Sequence, residues 1–124
     1  MKLLLDTHVF LWYEAADPKL TNKAKTAIQN PKNKKFLSIA SFWEIVIKNS
    51  IGKLQLHTSF ETLYSLTGYQ NLNISFSHLE KLRKLEYHHK DPFDRLIIAQ
   101  ALVEKMQVVS IDENFDKYEI QRIW

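Results

Sequence analysis

At 124 residues with 45% hydrophobic and 25% charged side chains, the chain is long enough for one globular domain with a real core and too short for two. It has no cysteine, which excludes disulfides and thiolate metal sites, and no apolar run near the ~20 residues that a membrane span needs. A net charge of +3 is compatible with nucleic acid as a partner, although solvated lysine-rich faces account for it equally well.

Lys2 to Leu5 is a short apolar run ending in Asp6 and reads as a buried strand. Its three leucines are too few for a signal-peptide core, so a cytoplasmic location is expected. Thr7 to Ala16 reads as a helix with a broad apolar surface from Phe10, Leu11, Trp12 and Tyr13, broken by Asp17-Pro18. Thr21 to Asn30 is a second helix with Ala24, Ala27 and Ile28 on its inner stripe, ended by Pro31. Phe36 to Ile39 is the candidate central strand. Ser41 to Lys48 reads as a helix that Gly52 closes. Thr58 and Glu61 have capping-box spacing, which predicts a helix from Ser59 to Thr67 with Gly68 as its stop signal.

Leu72 to Phe76 alternates apolar with polar and reads as a strand. Ser77 and Glu80 predict another capping box and a helix to Leu85. Asp91 reads as an N-cap and Pro92 as the first residue of a helix to Met106. Gln107 to Ile111 is a strand running into Asp112, and Ile120 to Trp124 a last, edge strand. Strands alternating with helices in this rhythm predict an α/β domain with a short, mostly parallel sheet and helices on both faces. Ligands of such sheets bind outside the carboxyl ends of the strands.

Asp6 and Asp112 each follow a strand and so fall at that edge. Glu44 and Asp94 lie in the first turns of helices expected to leave the same edge. Like charges about 4 Å apart repel by roughly 4 kcal/mol at an effective dielectric near 20, and a divalent cation is the simplest relief. An all-oxygen site suits Mg²⁺ or Mn²⁺ better than Zn²⁺. Each acid also fits a structural role. Asp6 and Asp112 have the position of N-caps, Glu44 follows Ser41 at capping-box spacing and precedes Lys48 by one turn, and Asp94 favours a helix N-terminus. A carboxylate inside Phe42-Trp43-Glu44-Ile45-Val46 is nevertheless poorly explained by solubility.

The stretches Leu3-Leu4-Leu5-Asp6-Thr7-His8, Ser41-Phe42-Trp43-Glu44-Ile45 with Lys48, Asp91-Pro92-Phe93-Asp94-Arg95 with Ala99-Gln100-Ala101, and Val109-Ser110-Ile111-Asp112 occur in that order. Together they resemble the PIN domain, and most closely the toxin ribonucleases of VapBC toxin–antitoxin modules, over essentially the whole chain 1–124. The resemblance implies a PIN-like three-layer α/β/α domain and an Mg²⁺- or Mn²⁺-dependent endoribonuclease acting on RNA. It also implies an antitoxin partner and a homodimer. Asp6, Glu44 and Asp94 match the family's main metal-binding acids and Asp112 its more variable fourth; Ser110 stands where threonine is frequent. Lys48, Arg95 and Ser110 are the candidate substrate contacts.

His8 reads as a phosphate contact beside Asp6 or as a helix-surface or core histidine, and His88-His89-Lys90 as a solvated loop or the wall of an RNA path. Two other functions fit parts of the pattern. One is a non-catalytic module whose acidic pocket binds a basic partner. The other is a phosphoacceptor receiver domain, disfavoured because Ala40 and Ser41, not an aspartate, follow the candidate central strand.

Overall fold

The computed structural model describes residues 1–66 and 68–124. Strands β1 (Lys2–Leu5), β2 (Lys34–Ser38), β3 (Tyr69–Leu72), β4 (Gln107–Val109) and β5 (Arg122–Ile123) form one sheet in the order β3-β2-β1-β4-β5. All of its pairings are parallel, and β5 is an edge strand as expected. The central strand is β1 rather than the Phe36 region, and β1 does end in an aspartate. The absence of an aspartate after the Phe36 strand therefore does not exclude a receiver domain. The order 3-2-1-4-5 separates the two folds instead, since receivers run 2-1-3-4-5.

Successive strand residues face opposite sides, and the leucines of β1 show it. Leu3 and Leu5 join the core under helices α1 (Thr7–Glu14), α2 (Asn22–Gln29), α3 (Ile39–Ser50) and α4 (Phe60–Tyr64). Leu4 joins the core on the other face, under α5 (Phe76–Lys84) and α6 (Pro92–Glu104). The result is the expected three-layer α/β/α arrangement. Burial of β1 on both faces explains why its sequence is continuously apolar. Among the described residues, no helix is long and apolar enough to cross a membrane.

Several boundaries move, each for a local reason. Helix α3 starts at Ile39, straight out of β2, because the Ser38 hydroxyl accepts the Ala40 N–H at 3.0 Å. The Ser41–Glu44 capping box does not form, and Glu44 sits in the second turn rather than the first. Ser59, not Thr58, caps α4, whose expected end at Thr67 lies outside the described residues. Strand β3 is Tyr69–Leu72 instead of Leu72 to Phe76: its partner β2 ends at Ser38, opposite Leu72, so nothing remains to pair beyond that point. Helix α5 accordingly begins at Phe76, with a capping box between Ser75 and His78 in place of Ser77 and Glu80. The imidazole Nδ1 accepts the Ser75 N–H at 3.1 Å, as a glutamate would. Glu80 instead pairs with Arg83 at 2.6 Å on the surface.

One buried polar chain ties the layers together. The Ser38 hydroxyl donates to Gln100 Oε1 at 2.5 Å, and Gln100 Nε2 donates to the Asn73 carbonyl at 3.4 Å. Gln100 is fully buried, so these bonds satisfy an amide that would otherwise be costly. They lock α6 against the ends of β2 and β3.

Candidate metal centre

The chain runs from β1 outward to β3, then returns to place β4 on the other side of β1. The crevice at the carboxyl ends of β1 and β4 is therefore the topological switch point of the sheet, the usual ligand site of open α/β folds. Asp6 stands there. Its N–H donates to the Val109 carbonyl at 3.0 Å, the last ladder bond between the two strands. Although Asp6 has the N-cap position of α1, its side chain makes no capping bond. Oδ2 accepts the Ser110 hydroxyl at 2.8 Å, while Oδ1 is buried without a partner. Burial pushes the Asp6 carboxyl above its ordinary pKa, against the opposing pull of the Ser110 hydrogen bond and the charge of His8.

Glu44 is 3% exposed among Phe42, Ile45 and their neighbours. Its Oε2 accepts Lys48 Nζ at 2.7 Å, the one-turn pairing foreseen in the sequence. That bond holds the Lys48 ammonium above its usual pKa. The other oxygen, Oε1, is buried with no partner.

Asp94 is placed by the start of α6. The Asp91 carboxylate accepts the N–H groups of Phe93 at 2.9 Å and Asp94 at 3.0 Å, with Pro92 between them at the first turn. The apolar run from Leu96 to Ala99, none more than 6% exposed, then anchors the helix. Burial, followed by the charges of Asp6, Asp91, Glu44 and Asp112, drives the Asp94 carboxyl up to about 8. Strand β4 ends at Val109 rather than Ile111, so Asp112 stands three residues beyond it, where it caps the 3₁₀ turn Glu113–Lys117 with Oδ1 accepting the Asn114 N–H at 2.9 Å.

The fifth member is His89, which in sequence reads as part of a solvated loop or of an RNA path and not as a neighbour of the acids. Its side chain is only 10% exposed, and Nε2 lies 2.6 Å from Asp112 Oδ2 and 3.1 Å from Asp94 Oδ2. Donor atoms of His89, Asp94 and Asp112 all lie within 4.8 Å of one another. Asp6 and Glu44 reach this trio through charge, both raising the Asp94 pKa. One sequence signal pointed to His89: it stands two residues before the N-cap of the helix that carries Asp94.

The candidate substrate contacts divide. Lys48 keeps 35% of its side chain exposed and can still meet a phosphate from its place on Glu44. Ser110 is fully buried; it binds Asp6 and accepts the Asp112 N–H at 3.0 Å, so it positions two acids and does not face a substrate. Arg95 is 6% exposed, and its guanidinium donates to the carbonyls of Leu85, Glu86 and His89 at 2.9–3.3 Å while stacking over Tyr87 at 3.7 Å. Its donors are engaged by the loop before α6, and among the described residues no salt bridge joins it to the acids. His8 is exposed beside Trp12, the helix-surface placement.

Asp6 Oδ1 and Glu44 Oε1 are buried without any donor, and both carboxylates act by charge on Asp94, which clusters with His89 and Asp112. Lone pairs in such positions fit a hard, oxygen-seeking divalent cation.

A family model described as PIN domain matches residues 3–121. No curated protein matches the chain significantly in sequence. Among solved structures, VapBC2 from Rickettsia felis bound to a promoter DNA fragment is similar with a TM-score of 0.73 at 15% identity, over 98% of this chain and 97% of that one. VapBC-1 from nontypeable Haemophilus influenzae is similar with a TM-score of 0.73 at 18% identity, over 98% and 96%. A toxin–antitoxin complex from Klebsiella pneumoniae follows with a TM-score of 0.58 at 16% identity, over 94% and 92%. The structural likenesses are of fold, the family model spans nearly the whole sequence, and the acids stand at the switch point of the sheet: the chain belongs to the PIN domain family.

Proposed function

We propose that the protein is a metal-dependent endoribonuclease of the VapC type, the toxin of a type II toxin–antitoxin pair acting in the cytoplasm. The observation that carries this is the pair of orphaned, buried carboxylate oxygens on Asp6 and Glu44 beside an Asp94 carboxyl raised to about 8. Asp6, Glu44, Asp94 and Asp112 would hold Mg²⁺ or Mn²⁺. Such an ion, when bound, supplies an activated water and neutralises charge developing on a phosphodiester. The chain's own residues do the rest. Ser110 fixes the direction of Asp6, Asp91 and Pro92 fix Asp94, and Lys48 offers an ammonium to a phosphate at the exposed side of Glu44.

The solved relatives are toxin–antitoxin complexes, and this chain has surfaces suited to such a partner and to a homodimer. Phe10 and Phe42 are core residues, whereas Trp43 is 56% and Val46 44% exposed on α3. On the other side of α1, Leu11 and Trp12 line an apolar groove with Leu54 and Leu56. An antitoxin helix and a second copy of the chain are the proposed occupants of these surfaces.

The test is cleavage of a mixed RNA pool, with fragment ends mapped, in Mg²⁺, in EDTA and with Asp94→Asn. Activity is expected only for the unaltered protein with metal. Equal cleavage in all three arms sinks the nuclease reading, and no cleavage in any arm leaves a binding module as the better description. A single-stranded DNA pool run in parallel tests the choice of nucleic acid.

A further inference from the structure

We propose that His89 is a positioning residue of this site: its Nε2–H holds the Asp112 carboxylate from outside the ion's coordination shell, with Asp94 Oδ2 beside the same nitrogen. The inference rests on the reading that the acids hold a divalent cation.

The tautomer follows from the hydrogen bonds. The Asp91 N–H donates to His89 Nδ1 at 3.1 Å, so Nδ1 is an acceptor and carries no proton. The ring proton is then on Nε2, which faces Asp112 Oδ2 at 2.6 Å and Asp94 Oδ2 at 3.1 Å. Ligating a metal through Nε2 requires that proton to move to Nδ1, which breaks the bond from Asp91. Asp91 is also the residue whose side chain caps α6, so its backbone is not free to yield. The geometry therefore makes His89 a donor to Asp112 and not a ligand of the ion.

The surroundings of His89 are built to hold it there. Residues 85–89 lie between α5 and α6; Leu85 ends α5 with its N–H on the Leu82 carbonyl, and the residues after it belong to neither helix. Arg95 donates to the carbonyls of Leu85, Glu86 and His89. The Tyr118 hydroxyl accepts the N–H groups of His88 and His89, both at 3.0 Å, and donates to the Glu86 carbonyl at 2.7 Å. Phe115 packs edge-on against the imidazole, its ring centre 5.9 Å away. A buried guanidinium and a three-bond hydroxyl are a large commitment for a surface loop. What they fix is the His89 ring. With Asn114 N–H on Oδ1 and His89 on Oδ2, both oxygens of Asp112 are oriented, and Asp94 Oδ2 lies 3.1 Å from the same imidazole nitrogen.

Partners of this kind typically govern metal affinity by 10–100-fold. The experiment has two readouts, neither of them activity. ¹⁵N NMR of the imidazole, in the metal-free and the Mg²⁺-loaded protein, is expected to show the Nε2–H tautomer in both. A proton on Nδ1 in either state overturns the proposal. Mn²⁺ titration followed by EPR is expected to show about 10–100-fold weaker binding for His89→Leu. His89→Gln keeps an N–H donor and is expected to bind close to the parent. Affinity unchanged in His89→Leu, or lost equally in His89→Gln, overturns the clamp while Asp94→Asn still abolishes binding and so leaves the metal reading standing. If the unaltered protein binds no Mn²⁺, the metal reading itself falls and the clamp with it. Should His89→Leu not fold, Tyr118→Phe carries the comparison. It frees the loop without touching an acid, and an unchanged affinity there overturns the proposal.

Discussion

The Ser110 hydroxyl donates to Asp6 Oδ2 at 2.8 Å, a bond across 104 positions of sequence that joins the ends of β1 and β4 at the switch point of the sheet. The same oxygen accepts the Asp112 N–H, so one side chain sets the direction of two acids. Replacing it with alanine leaves a buried Asp6 oxygen without a donor, a loss of about 1–3 kcal/mol. Ser110→Ala is expected to lower the thermal midpoint and weaken Mn²⁺ binding together, and Ser110→Thr to preserve both. Calorimetry and metal titration on the two variants check this, and a Ser110→Ala protein that matches the parent in both removes Ser110 from the site.

Asp94 makes stability depend on pH in a direction opposite to that of most carboxylates. Its folded pKa is raised to about 8 from an unfolded value near 3.8, so the folded state holds the proton more tightly. Metal-free stability is therefore full below the unfolded value and is lost as pH rises toward 8. Asp6, also raised, contributes with the same sign. Each pKa unit of displacement corresponds to about 1.4 kcal/mol. In EDTA, the melting temperature is expected to be higher at pH 5 than at pH 8, and Asp94→Asn to flatten the difference. A divalent cation competes with the same proton, so Mg²⁺ is expected to stabilise most at the alkaline end. A profile that rises with pH in EDTA contradicts the burial of Asp94.

Arg95 separates a structural from a substrate-binding role. Its donors serve three carbonyls, and lysine cannot reproduce a planar fork. Arg95→Lys is expected to cost on the order of 2 kcal/mol in urea unfolding, since it strands partly buried acceptors. A phosphate contact predicts the opposite pattern, with unchanged stability and a raised KM for RNA.

Asp91 offers a test of capping against charge. Asp91→Ala removes the acceptor for two N–H groups and is expected to cost about 1 kcal/mol. Asp91→Asn keeps the cap but removes one of the charges that raise Asp94. The Asp94 pKa, followed by carboxyl NMR, is expected to fall in Asp91→Asn while the melting temperature stays near the parent's. No change in that pKa means that burial and the other three carboxylates hold it up without Asp91.

Much of this was legible in one dimension. Periodicity and turn residues located all five strands to within a few positions, and the Asp91-Pro92 start of α6 came out correctly because a cap and a proline act on their own neighbours. The errors at β3 and α5 arose where local signals competed. Ser75 and Ser77 both precede plausible partners, and only the end of β2 at Ser38 decided where β3 could stop. His89 was missed for a related reason: its neighbours Lys90 and His88 are exposed, and nothing adjacent in sequence predicts that Arg95 and Tyr118 hold the loop inward.

The sequence by itself determined which residues carry charge into apolar surroundings and that β1 runs into an acid, because burial patterns are written in short-range order. Only the tertiary structure decided which of those acids share donors, that the guanidinium of Arg95 serves the backbone, and that a histidine completes the cluster. Those outcomes depend on bonds between residues brought together by the reversal of strand order at β1, and long-range contacts of that kind leave no periodicity to read.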